Sequence, residues 1–217
     1  MVDIEGCTEC IYRAACANTS EPESPVHLAR AILGPDAVRI LPARAMPFSR
    51  AMLVQLEGRH RIFVSSAVPA RELPHHVGHE LGHWALQRAG FTGTHEAKEQ
   101  AADAIGTAVV APRRAFLRAM LEFGPDLHDP GVRATYAEAF STTEALVTLR
   151  FGEVSRHPVA LVHDGPAPLT RATPASAWPA PRVLAGWAAV PPPGVKKARL
   201  MDEPRWALFQ GGGQLTG

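Results

Sequence analysis

The most constraining feature of this sequence is the run PHHVGHELGHWALQRAGFTGTHEAKEQAADAIGTAVVAP, residues 74–112. It holds two helix-forming segments with almost nothing between them. The first begins near Pro74, where a missing N–H costs nothing, and stops at Gly90. Val77, Leu81, Trp84 and Ala85 give it an apolar stripe. FTGT makes the turn, and Thr94 is placed to cap a second, alanine-rich helix that must end before Pro112. A connection this short predicts an antiparallel helix pair. Whatever else the chain builds has to accommodate that hairpin.

The facing residues of the pair carry chemistry. His79 and His83 stand four apart, so they project from one helix face and can present two imidazole nitrogens to one ion. Glu80 lies about 100° around the helix from His79, within reach of a water on that ion without ligating it. This spacing, H-E-x-x-H, is half of a zinc-hydrolase site. A catalytic zinc needs three protein ligands and one open position. The second helix supplies Glu99 as the third ligand. Asp103, one turn later, is placed to hold the outward ring nitrogen of a ligand histidine. Glu96 is a rival ligand, but it also suits the N-terminal helix dipole, and only Glu99 is followed by an acid one turn on. His75 and His76 precede the motif without a flanking glutamate and read as surface or hydrogen-bonded histidines.

Around the hairpin the chain reads as α+β. PVHLARAILGP is helical, and AMLVQLEG and HRIFVSS are strands joined by a turn at EGRH. A small sheet therefore precedes the metal-site helix. After Pro112, PRRAFLRAMLEFG and VRATYAEAFSTTEALVTLRFG predict two more helices. From Asp164 onward nine of the 20 prolines rule out a long helix, yet three of the four tryptophans (Trp178, Trp187, Trp206) lie there too. RVLAGWAAV and PRWALFQ are accordingly read as short extended pieces, with GGGQLTG as a flexible end. The expected organisation is a cysteine-containing segment over 1–24, a zincin-like domain over 25–157, and a Pro/Trp-rich extension over 158–217.

Cys7, Cys10 and Cys16 all fall in CTECIYRAAC. An odd number argues against a disulfide framework. They have two readings: packed or free thiols, or a second metal or iron–sulfur site completed by His27. A net charge of +1 gives no pull toward nucleic acid or anionic membranes. No apolar run is long enough to span a bilayer, and the acidic N-terminus does not read as a signal peptide, so a cytoplasmic protein is expected.

RIFVSSAVPARELPHHVGHELGHWAL and HEAKEQAADAIGTAVVAP resemble the ImmA/IrrE metallopeptidases, which share a gluzincin-like site. Glu99 falls on that family's ligand glutamate, Asp103 on its asparagine and Ile105 on its phenylalanine. Val109–Pro112 falls on its closing L-L-M-P, and YAEAFSTTEALVTLRFG on its later helical segment. Asp at 103, and Gly106 and Thr107 in place of two alanines, are departures. The resemblance spans roughly residues 25–152. It implies a zincin-like, mostly helical fold and one catalytic Zn2+ held by His79, His83 and Glu99. It further implies Glu80 as general base and a protein substrate, often a helix-turn-helix repressor. Tyr136, His157 and His163 are the candidates for a second oxyanion donor. Two other readings stand beside this one: a module of the same fold that grips a repressor without cutting it, and a cysteine-bound metal sensor that controls the domain.

Overall fold

The computed structural model describes residues 2–17, 24–46, 49–155, 159–163, 170–173, 195–199 and 206–211. They form two compact units, Met1–Pro112 and Arg113–Gly217.

The first unit contains α1 (Ile4–Cys16), α2 (Pro25–Leu33), β1 (Val38–Leu41), β2 (Ala51–Leu56), β3 (Arg59–Ser65), α3 (Leu73–Arg88) and α4 (His95–Val110). Three of the four helix starts carry a side-chain cap. Asp3 accepts from the Gly6 amide, Ser24 from His27 with Pro25 following, and Thr94 from Ala97. The β2–β3 hairpin turns on Glu57 and Gly58, both at positive φ (52° and 76°), the conformation a two-residue hairpin loop requires. β1 was not evident in the sequence. It pairs parallel with β3, giving a three-stranded sheet of order β1-β3-β2 that leaves β2 as an edge.

The core of this unit lies between sheet and helices. Ile62 and Val64 from β3 meet Val77, Leu81 and Ala85 of α3, Ile105 and Val109 of α4, Leu28 of α2 and Ile11 of α1. Helix α1, with its three cysteines, is part of this core through Ile11 and Ala15. Its Tyr12 hydroxyl also donates to the Val109 carbonyl at 2.9 Å. That carbonyl is among the last four of α4, and helix ends leave such acceptors without an intrahelical donor. Tyr12 supplies the donor.

The second unit contains α5 (Arg113–Phe123), α6 (Pro130–Ala139), α7 (Glu144–Ser155), β4 (Val159–His163), β5 (Thr170–Thr173), β6 (Val195–Arg199) and β7 (Trp206–Gly211). The sequence predicted one helix where the structure has α6 and α7. The chain breaks at Phe140–Thr143, with Ser141 at φ 48° and the Thr143 hydroxyl accepting from the Leu146 amide. The Thr143 hydroxyl thereby caps the start of α7. Strands β5-β4-β7-β6 form a four-stranded antiparallel sheet. Of the extended pieces read from the sequence, PRWALFQ contains most of β7, whereas RVLAGWAAV lies outside the described residues. Phe116 stacks on Tyr136 and Phe140, each at 5.3 Å between ring centres. Arg133 and Glu144, both buried, pair at 2.8 Å, and Arg133 also donates to the Leu127 and His128 carbonyls. A buried charge survives only with such compensation.

Burial first, and the Cys16 thiol second, push the Tyr12 hydroxyl up to about 12. Its neutral form is the one the fold holds. Its contribution is therefore full below pH ~10 and lost as pH rises toward 12. Tyr12→Phe should lower stability by about 1 kcal/mol at neutral pH and flatten the decline in melting temperature above pH ~10. Thermal melts from pH 7 to 12 check both.

Candidate metal centre

The site begins with small residues. Gly78 and Gly82 lie one turn apart on α3, and Ala102 and Gly106 one turn apart on α4. A Cβ on Gly82 would stand 2.8 Å from the Ala102 carbonyl oxygen, and one on Gly106 would stand 2.7 Å from the His79 amide nitrogen. The two backbones touch, with no room for a methyl group between them. This close approach, visible in the sequence as G-x-x-x-G facing A-x-x-x-G, brings the next residue round on each helix into reach of the other.

Those residues are the predicted ones. His79 Nδ1 lies 2.8 Å from Asp103 Oδ1. His79 Nε2 and His83 Nε2 are 3.0 Å apart, and the Glu99 carboxylate oxygens stand 3.4 and 3.3 Å from them. Four ligands around zinc at about 2.0–2.1 Å in a tetrahedron are separated by about 3.3 Å. The two edges to Glu99, which end on different carboxylate oxygens, match that figure, and the edge between the histidines is slightly shorter. The donor types fit as well: Asp103 takes the Nδ1 proton of His79, which leaves the Nε2 lone pair facing the centre. Lone pairs this close need positive charge among them, from a proton or a cation. Burial disfavours a charged His79, but the hydrogen bond and charge of Asp103, with Glu80 and Glu99, outweigh it and hold its pKa above the ordinary value. Burial and then the charge on His79 push His83 below its ordinary value. The two histidines are thus pushed in opposite directions by the same cluster.

Glu80 is 5% exposed. Burial raises its carboxyl above the usual range, against the pull of His79 and of the Leu53 backbone N–H, which it accepts. Leu53 sits on edge strand β2. Motif reading does not find this contact, because it depends on the sheet packing beside α3. Glu96 is exposed and takes the Gln100 side chain at 3.3 Å, outside the donor set.

The other candidates fare differently. Among the described residues only His79, His83 and Glu99 converge as a set of metal donors. Cys7, Cys10 and Cys16 are free thiols on one helix, and nine residues of helix turn Cys16 to the side opposite Cys7. Among the described residues the three thiols do not come together as a donor set. Tyr136 is fully buried, and its hydroxyl donates to the Gly124 carbonyl at 2.8 Å. It is committed to structure in the second unit. His157 lies outside the described residues, and His163 is described only as the strand partner of Trp206.

Residues 37–151 match the IrrE N-terminal-like domain of the M78 peptidases, which is more than half of the chain. The chain belongs to the M78 peptidase family. The matched span contains α3, α4 and the edge strand that holds Glu80. No curated protein matches the sequence. Among solved structures, a Mycobacterium tuberculosis transcriptional regulator shares the fold with a TM-score of 0.57 at 11% identity, over 97% of this chain and 76% of its own. Among the described residues no helix is long and apolar enough to cross a membrane.

Gly106→Ala tests the contact beneath this M78 site. Alanine is the better helix former by about 1 kcal/mol. Overpacking against unyielding backbone costs about 1–3 kcal/mol. The clash should win, lowering the melting temperature and weakening divalent-metal binding at least ~10-fold as the donors spread. A rise in melting temperature would mean that the helices do not touch here.

Proposed function

We propose that this chain is a zinc-dependent endopeptidase. His79, His83 and Glu99 hold the ion, Asp103 orients His79, and Glu80 is the general base. The donor triangle carries this reading, supported by membership of the M78 family. Zinc held there would supply Lewis acidity to a water and to the scissile carbonyl.

The protein's own residues supply the rest. Glu80 accepts a proton from the attacking water and returns it to the leaving amine. Its burial brings its proton affinity closer to neutral pH, where a general base works best. The Leu53 backbone N–H lies beside its carboxylate and favours the charged, proton-accepting form. Asp103 keeps His79 in the tautomer whose Nε2 can ligate. The substrate class we propose is a protein, specifically a helix-turn-helix repressor. The ImmA/IrrE resemblance supports it, and the structural neighbour's description as a transcriptional regulator is consistent with it.

Two measurements test this. Protein with Cys7, Cys10 and Cys16 changed to serine should carry one zinc per chain by elemental mass spectrometry, and His79→Ala should abolish it. Glu80→Gln should keep the zinc and cut turnover by a factor of about 10² to 10⁴, the usual contribution of a positioned base. Near-normal cleavage by Glu80→Gln would sink the assignment. Unchanged repressor inactivation with no cleavage would mean that the protein works by gripping its partner.

A further inference from the structure

Edge strand β2 and helix α3 touch at two rungs. Leu53 meets Glu80 through its amide. Arg50, immediately before β2, meets Glu72, immediately before α3, at 2.8 Å. Leu53 is three residues on from Arg50, about 10 Å of strand, and Glu80 is eight residues on from Glu72, about 12 Å of helix. Strand and helix therefore run side by side in the same direction. His76 is four residues from Glu72 and four from Glu80, so all three share one helix face. Its ring is mostly buried, with Nε2 3.7 Å from the Glu72 carboxylate. These residues frame the stretch beside the base: Glu80 and Leu53 at one end, Arg50 and Glu72 at the other, with His76 midway along the helix.

We propose that this frame is a specificity subsite for a basic substrate side chain, lysine or arginine, one to three residues from the scissile bond. It rests on the peptidase reading and adds to it a substrate chemistry. The distance follows from about 3.3 Å per extended residue against the 10 Å frame. The charge follows from unequal anchoring. Glu72 is 21% exposed and held by the helix, whereas the Arg50 guanidinium is 68% exposed. An exposed ion pair of this kind is weak and exchanges readily. A substrate guanidinium or ammonium group can take the place of Arg50 and leave Glu72 paired. An acidic side chain would have to draw Arg50 away and strand a half-buried carboxylate beside it.

The test uses binding, so that it does not depend on turnover. The probes are fluorescein-labelled decapeptides in an alanine–glycine host, with one position carrying Lys, Arg, Gln, Leu or Glu. The protein is the full chain with Glu80→Gln, loaded with zinc. Lys and Arg peptides should bind at least ~10-fold more tightly than Gln peptides, the scale of one charge-assisted contact. Glu72→Gln should bring that ratio close to one, and Glu72→Lys should turn it toward Glu peptides. Arg50→Ala should increase it, because the competitor is gone; this opposite sign separates the subsite from a general loss of fold. Absence of a basic preference, or a preference that survives Glu72→Gln, overturns the proposal. A preference that obeys these rules in a chain whose parent form cleaves nothing would leave the subsite standing and remove the peptidase reading instead.

Discussion

The site depends on a backbone contact between α3 and α4. Gly78 and Gly82 face Ala102 and Gly106 at distances that exclude a Cβ. Helices kept apart by leucine-sized side chains could carry the same histidines and acids yet never bring them within 3.4 Å of one another. Three glycines inside helices carry a propensity cost of about 1 kcal/mol each relative to alanine. What offsets it is the separation between the axes, and that separation fixes the spacing of the donors.

Electrostatics then sets the state of the cluster. Two imidazoles and two carboxylates share a small volume, and their surroundings push His79 above and His83 below the ordinary histidine range. Asp103 breaks the symmetry by bonding only one of them. The cluster has a preferred ligand face before any ion arrives, and Glu80 is held outside it by a bond to the sheet. His79 is thus positioned from α4, through Asp103, while Glu80 faces the sheet at β2.

Much of this was legible in the sequence, and the reasons are local. His79, His83, Glu99 and Asp103 are spaced by helical turns, and FTGT is too short to allow anything but a hairpin. Helix caps at Ser24 and Thr94 and the Glu57–Gly58 turn are likewise short-range effects. The misses are the non-local ones. β1 is four residues with a mixed pattern, and it becomes a strand only because β3 is there to pair with it in parallel. The second sheet joins segments from Val159 to Gly211, across prolines that obscure any period. The break comes from Ser141 in the left-handed region, a local backbone turn inside an otherwise helical pattern. The Leu53 amide has no side-chain signature at all, so no motif can reveal it.

The same division between local and distant contacts bears on how the molecule is assembled. His79 and Asp103 are separated by 24 positions, all of them within the helical hairpin or its turn. Contacts of such low order close at little entropic cost and form early. The bond from Leu53 to Glu80 instead awaits the sheet, whose β1–β3 pairing is parallel and slower to organise. A newly made chain can therefore acquire the donor triangle before its base is fixed in place. The close pairing of α3 and α4 is thus set by contacts near in sequence, and the contact beside Glu80 by contacts far from it.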